Sequence, residues 1–208
     1  ARCDMIKEFI LSKKELKHIS IIGETSAENL NVIIEGILAS KKVKSFEVSD
    51  AVISTTEIPK FGKFIRRVNR LSLIRCHLDK INDLKEIFNG RVKLTSLSLN
   101  NNGPKANEII QSLKNLNNLV EIKIEQQQIG LMMDEIILYL HNNKTLRKLS
   151  LHDCSISELV CAKLGKELET NSTLTFLSLN KNKISSASIG QILLLTILFR
   201  HWNWSSTN

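Results

Sequence analysis

The chain has 208 residues, 42% hydrophobic and 24% charged, with a formal net charge of +8. That balance excludes a disordered chain, and the length suits one packed domain or a short array of stacked units. The longest apolar run, Ile192 to Phe199, is broken by Thr196 and falls far short of the ~20 residues that cross a bilayer.

From the N terminus, Met5, Ile6, Phe9 and Ile10 recur at helical spacing. Residues 1–15 are therefore expected to form the helix of a preceding repeat or an N-terminal cap. A short apolar frame follows at Leu16, Ile19 and Ile21, and a second at Val43, Phe46, Val48, Ala51 and Ile53. No acidic residue lies between Glu57 and Asp79. Within that window Lys63, Arg66, Arg67 and Arg70 follow helical spacing beside an apolar stripe of Phe61, Phe64, Ile65 and Val68. This predicts a basic ridge on the outer side of the third turn, with Arg70 already entering the next strand.

The third frame is Val68, Leu71, Leu73, Cys76 and Leu78, and the fourth is Leu94, Leu97, Leu99 and Asn102. Gly103 and Pro104 mark a turn, and Ile109, Ile110, Leu113 and Leu116 then form a helical stripe. A fifth frame (Leu119, Ile122, Ile124, Gln127, Ile129) leads to a stripe of Met132, Met133, Ile136, Ile137 and Leu140. A sixth (Leu146, Leu149, Leu151, Cys154, Ile156) leads to Leu159, Val160, Leu164 and Leu168. The seventh (Leu174, Leu177, Leu179, Asn182, Ile184) is followed by Ile189, Ile192, Leu193, Ile197 and Leu198, apolar nearly all round. A free solenoid end needs a polar outer face. That last helix is thus expected to be covered by more chain, by the 201–208 tail, or by a second copy in an end-to-end dimer.

The frames start at 16, 43, 68, 94, 119, 146 and 174, giving steps of 27, 25, 26, 25, 27 and 28 residues. Within a frame the period of two makes a short strand with its apolar residues inward. Between frames the period becomes 3.6, so strand and helix alternate, and neither buries its apolar face except by stacking on the next unit. The residue after each strand lies where the chain turns inward. Asn102, Gln127 and Asn182 can pair backbone groups of adjacent turns there, and Cys76 and Cys154 fill the same slot as small buried residues.

The phrases Leu94-Thr-Ser-Leu-Ser-Leu99, Leu146-Arg-Lys-Leu-Ser-Leu151 and Leu174-Thr-Phe-Leu-Ser-Leu179, with Asn or Cys three residues on, resemble the leucine-rich-repeat family. Residues 16–200 are covered. The repeat length and the phrases Asn143-Lys-Thr-Leu146 and Asn171-Ser-Thr-Leu174 are similar to the long-repeat, ribonuclease-inhibitor-like subclass. The resemblance implies an α/β right-handed solenoid of about seven repeats, a horseshoe with a concave parallel sheet and a full convex helix after each strand. It also implies a role in binding other macromolecules.

On the expected concave face the interleaved side chains include a column of Ser20, Ser72, Ser98, Ser150 and Ser178. Larger groups gather toward the C-terminal turns, where Lys148, His152, Asp153, Phe176, Asn180 and Lys181 are expected to lie close together. With Arg70 and Lys123 they form the candidate partner-binding set. The charge is uneven, with 18 Lys and Arg against 12 Asp and Glu in residues 1–100, and 11 against 9 in the remainder. Lys63, Arg66 and Arg67 are the candidate anion or nucleic-acid contacts, without the aromatic platform that reads RNA bases.

No P-loop, GxGxxG, HExxH or GxSxG motif is present, so no catalytic residue, metal or cofactor is expected. Cys76 and Cys154 fall three turns apart, on the order of 14 Å at the spacing of parallel strands, too far to share a metal. The four cysteines (Cys3, Cys76, Cys154, Cys161) read as reduced thiols of a cytoplasmic protein. Three N-x-S/T sequons, at Asn143, Asn171 and Asn203, keep an extracellular setting open. The chain lacks an initiator Met and a signal peptide, so it reads as part of a longer or processed protein. The leading expectation is a protein-protein interaction module. It could serve as a bacterial effector in a host cytoplasm or as an immune-type recognition domain, and its Ile-, Lys- and Asn-rich usage fits a bacterial effector or a protist protein slightly better than a vertebrate protein. The alternatives are anion binding on the basic ridge, or a domain accessory to a larger enzyme such as a ubiquitin-ligase substrate receptor.

Overall fold

The computed structural model describes residues 2–82, 84–190 and 203–204. In chain order the first elements are α1 (Arg2–Ser12), β1 (His18–Ile21), α2 (Ala27–Ser40), β2 (Ser45–Ser49), β3 (Val52–Ser54) and α3 (Phe61–Ile65). They continue with β4 (Arg70–Ile74), β5 (His77–Lys80), α4 (Leu84–Asn89), β6 (Ser96–Asn100), α5 (Asn107–Gln111) and β7 (Glu121–Glu125). The last are α6 (Met133–Asn142), β8 (Lys148–His152), α7 (Glu158–Leu168), β9 (Phe176–Ser178) and β10 (Asn203–Trp204).

Each strand begins two residues into its frame, because the frame's first apolar residue is the buried corner that turns helix into strand. Strands β1, β2, β4, β6, β7, β8, β9 and β10 lie side by side in one open sheet, every pairing parallel. The register is unbroken: Leu71 stands beside Phe46 and Leu97, and Ile122 beside Leu97 and Leu149. One face of the sheet is packed against the helices, which supply the crossovers that parallel neighbours require.

The helices are not uniform. A 14-residue α2 and an 11-residue α7 flank helices of 5, 6 and 5 residues, with α6 at 10. The expectation of a full helix after every strand therefore fails in the middle turns. The shortest steps leave the fewest residues, and there the chain spends some of them on a second two-stranded sheet, β3 with β5. The stripe ending at Leu116 divides in the same way into α5 and a 3₁₀ turn over Leu113–Asn115. The stripe drawn through Leu159 also needs correction: Leu159 is 71% exposed, and Cys161, Leu164 and Leu168 make the buried side of α7.

Two ladders hold the turns together along the edge where strands end. In the first, a residue just past the strand adopts a left-handed conformation in six turns: Asp50, Arg75, Asn101, Gln126, Asp153 and Lys181 have φ between 48° and 55°. That geometry aims each amide at the next turn, so Asp50 N–H donates to the Ile74 carbonyl at 2.9 Å and Arg75 N–H to Asn100 at 2.8 Å. Asn101, Gln126 and Asp153 repeat the contact with Glu125, His152 and Asn180. In the second ladder, Asn102 Oδ1 accepts from Cys76 N–H at 2.8 Å while its Nδ2 donates to the Leu73 carbonyl at 2.9 Å. Gln127 Oε1 accepts from Asn102 N–H, and Asn182 Oδ1 accepts from the amides of both Cys154 and Ile156. Cys76 and Cys154 only donate, weakly, to the Val48 and Ile124 carbonyls. These slots lie away from water, so each pairing removes the cost of a buried unsatisfied backbone group.

One part of the core is aromatic. Phe64 of α3 meets Phe46 of β2 edge-on at 5.1 Å between ring centroids and Phe61 at 6.0 Å, all three buried. At the N-terminal end α1 packs on α2 across Gly36, where a Cβ would come within 3.2 Å of Ile10 Cδ1. Glu35 ties α2 to both neighbours, through Lys60 at 2.7 Å and Lys7 at 3.4 Å, and these ammonium groups hold its carboxyl below the usual range.

Candidate functional site

The open face of the sheet carries the interleaved side chains in three columns, and the register assigns each one. The first runs His18, Ser45, Arg70, Ser96, Glu121, Lys148, Phe176. In the second, the expected serine column is interrupted: Glu47 stands between Ser20 and Ser72, and Lys123 between Ser98 and Ser150. The third contains Ser49, Ile74, Asn100, Glu125 and His152. Ser49 is buried, and its hydroxyl accepts from the Gly23 amide at 3.0 Å.

Within each column, side chains of neighbouring turns are linked. His18 Nδ1 lies 2.8 Å from Ser45 Oγ, Ser20 donates to Glu47 at 2.9 Å and Ser96 to Glu121 at 3.2 Å. Asn100 donates to Glu125, which also pairs with Lys123 at 3.0 Å. Between β1 and β7 the first two columns, from His18 to Glu121 and from Glu47 to Lys123, bound a depression of about 250 Å³. Its floor holds Ser72 and Ser98, and its walls hold Glu47, Arg70, Glu121 and Lys123. Arg70 and Lys123 of the sequence-derived set therefore belong together here, beside Ser72 and Ser98 of the expected serine column, whereas Glu47 and Glu121 were not singled out.

The C-terminal part of that set does not form one patch. Lys148 and Phe176 are register neighbours at the start of β8 and β9. His152, Asp153, Asn180 and Lys181 gather at the other end, where Asp153 N–H bonds the Asn180 carbonyl. A five-residue strand separates the two groups by roughly 13 Å. The basic ridge divides as well. Helix α3 ends at Ile65, so Lys63 alone projects from it; Arg66 and Arg67 lie in the following connection and Arg70 faces the depression. The Arg66 guanidinium lies against Gly90 on the next turn, where a Cβ would come within 2.7 Å of its Nε and the arginine would have to swing aside. Arg67 is half-buried, with a buried Nε that has no partner.

Sequence reasoning also missed the column of left-handed residues. Asp50 and Arg75, neighbours in it, form a two-pronged ion pair at 2.7 Å on each arm. The guanidinium holds the Asp50 carboxyl below its ordinary value.

Two sequons prove structural. Asn143 is buried, accepts from the Thr145 and Leu146 amides at 2.8 and 2.7 Å, and donates to the Tyr139 hydroxyl. Asn171 caps the Thr173 and Leu174 amides and donates to the Leu140 carbonyl. A glycan on either amide would remove a contact that starts the next strand. Asn203 falls on β10, paired with Phe176. Residues 191–202, which include most of the apolar C-terminal segment expected to be covered, lie outside those described.

Cys76, Cys154 and Cys161 are buried free thiols, and burial pushes all three up, Cys154 to about 12 and Cys161 to about 11. Thiolate is the reactive form. We expect none of the three to react with a thiol reagent at pH 8 in the folded protein, and all three to react in urea. Rapid labelling of the native chain at any of them, located by peptide mass spectrometry, would contradict this. Among the described residues, no three His, Cys, Asp or Glu side chains converge on a possible metal position, and no helix is long and apolar enough to cross a membrane.

No family model matches the sequence, and no curated protein matches it. Solved structures do match. An internalin from Listeria monocytogenes aligns over 89% of this chain with a TM-score of 0.52 and 14% identity. The fold is a leucine-rich-repeat fold. This chain spans 60% of that internalin. A plant peptide hormone receptor, solved in complex with RGF2, aligns over 85% of this chain and 33% of its own, with a TM-score of 0.39 and 19% identity. The tropomodulin C-terminal domain of Caenorhabditis elegans aligns over 94% and 91%, with a TM-score of 0.38 and 13% identity. These likenesses concern the backbone. A shared fold does not by itself fix a function.

Proposed function

We propose that this chain is a non-catalytic module, a horseshoe of about seven long repeats, that docks a folded protein on the open, concave face of its sheet in a reducing cytoplasm. The observation that carries the reading is the depression between β1 and β7. Its walls mix signs, with Glu47 and Glu121 beside Arg70 and Lys123, over a floor of serines. Mixed charge around short, neutral serines suits a protein surface of complementary pattern and suits a polyanion poorly. The strands fix these groups by main-chain pairing, so little conformational entropy is lost when a partner binds. The buried thiols and the two structural sequons support the reducing setting.

The test is affinity capture with three baits: the parent chain, Arg70→Glu with Glu121→Lys, and Lys148→Glu with Phe176→Ala. A partner held by the parent and by the Lys148/Phe176 bait, and lost more than tenfold by the Arg70/Glu121 bait, is the expected result. A partner kept equally by the Arg70/Glu121 bait removes the depression from the binding site. Loss confined to the third bait moves the site to the C-terminal turns.

A further inference from the structure

The net charge of this protein is concentrated on one edge of the solenoid. The connections that lead from helix to strand in the first four turns read Lys13-Lys-Glu-Leu-Lys17, Lys41-Lys-Val-Lys44, Arg66-Arg-Val-Asn69 and Gly90-Arg-Val-Lys93. Ten basic residues stand there against one acid, Glu15. The local structure explains the arrangement. Val43, Val68 and Val92 turn into the core and are 0%, 0% and 6% exposed, which leaves their basic neighbours outside. All ten are exposed except the half-buried Arg67. Among the described residues none of the ten takes part in an ion pair. The opposite edge of the same turns mixes signs, with Glu24, Asp50 and Asp79 among Lys60, Arg75 and Lys80.

The connections step along the sheet with the strands, ~4.8 Å at a time, so the four form a row on the order of 14–19 Å long. That places roughly one cation per 1.5–2 Å of row, close to the one phosphate per ~1.7 Å of a nucleic-acid duplex. The four connections contain no aromatic residue on which an unpaired base could stack. Val43, Val68 and Val92 are buried and Leu16 is half-buried against the core, so the row itself offers a bilayer no anchor of the kind that peripheral binding requires.

We infer that this basic edge is a second interaction surface, which lies along the phosphate backbone of double-stranded nucleic acid without reading its sequence. It is separate from the open-face depression, and the two readings fail on different variants.

The test uses fluorescence anisotropy with labelled 20-base-pair DNA and RNA duplexes of mixed sequence, titrated with the whole chain between 50 and 250 mM salt. Contact with about six phosphates gives a slope near −5 in log affinity against log salt. Lys42→Glu/Lys44→Glu/Arg91→Glu should weaken binding at least tenfold and flatten the slope by about 3. Lys80→Glu/Lys181→Glu/Lys183→Glu changes the net charge equally on the other edge and should lose under threefold. Circular dichroism melting confirms that both variants fold. Tighter binding to one duplex identifies which nucleic acid the edge prefers. The inference is overturned if both triple variants weaken binding alike, since net charge alone then accounts for it. It is also overturned if neither duplex binds at 50 mM salt, or if vesicles of 30% phosphatidylserine bind more tightly than both.

Discussion

Phe64→Ala is expected to destabilise the protein by about 3–5 kcal/mol, the usual cost of emptying a large aromatic site in a packed core. Phe64 is fully buried, and its ring is clasped between Phe46 on the strand of the preceding turn and Phe61 on its own helix. Neither neighbour can move to fill the space, because Phe46 is fixed by strand pairing on both sides and Phe61 starts the five-residue helix. The form of the loss matters as much as its size. In a solenoid each turn is stabilised mainly by the turns beside it. Weakening the contact between the second and third turns should therefore release the N-terminal turns at lower urea than the rest. Amide exchange read by mass spectrometry should show β1 and β2 losing protection several hundredfold, while β7 and β8 change little. A uniform loss across all strands would mean that the chain unfolds as one cooperative unit.

The strands were legible in the sequence because a period of two with apolar residues inward admits one register in a half-buried sheet. Asn102 and Asn182 were legible for a related reason: a buried turn needs a side chain that both donates and accepts. The left-handed column was not legible. Asp50, Asn101 and Asp153 are residue types that tolerate this conformation, but Arg75, Gln126 and Lys181 give no such signal, and a glycine with positive φ, Gly23, stands at the equivalent place only in the first turn. Helix length was lost for another reason. Leu113 and Leu116 are three apart, a spacing that a 3₁₀ turn satisfies as well as an α-helix.

The candidate site was half visible. Large residues such as Lys148 and Phe176 drew attention by size, yet a depression forms where small side chains from adjacent turns stand together, as Ser72 and Ser98 do between Glu47 and Lys123. That pattern is two-dimensional and can be read only once the register is known. The basic ridge failed similarly: helical spacing grouped Lys63 with Arg66 and Arg67, but the helix ends at Ile65, and the arginines join the edge formed by the neighbouring connections.

Asn102→Ala is the second large effect, and it tests the polar ladder rather than the apolar core. Asn102 is 4% exposed and satisfies two backbone groups of the preceding turn, the Cys76 amide and the Leu73 carbonyl. Alanine leaves both buried and unpaired, at about 1–3 kcal/mol each, so urea unfolding should register a loss of roughly 2–5 kcal/mol. Asn102→Asp separates hydrogen bonding from packing. A charged aspartate still accepts from Cys76, but it sets an anion against the Leu73 carbonyl. A neutral carboxylic acid can accept from one and donate to the other, as the amide does. Burial and the facing carbonyl should therefore raise its folded pKa above the ordinary ~3.9 of the unfolded chain. The folded state then binds the proton more tightly, so stability falls as pH rises through the folded value and is fully recovered only below the unfolded one. Relative to the alanine variant, Asn102→Asp should gain stability from pH 7 toward pH 4. A parallel pH dependence of the two variants would show that the Asn102 side chain fills space without bridging the turns.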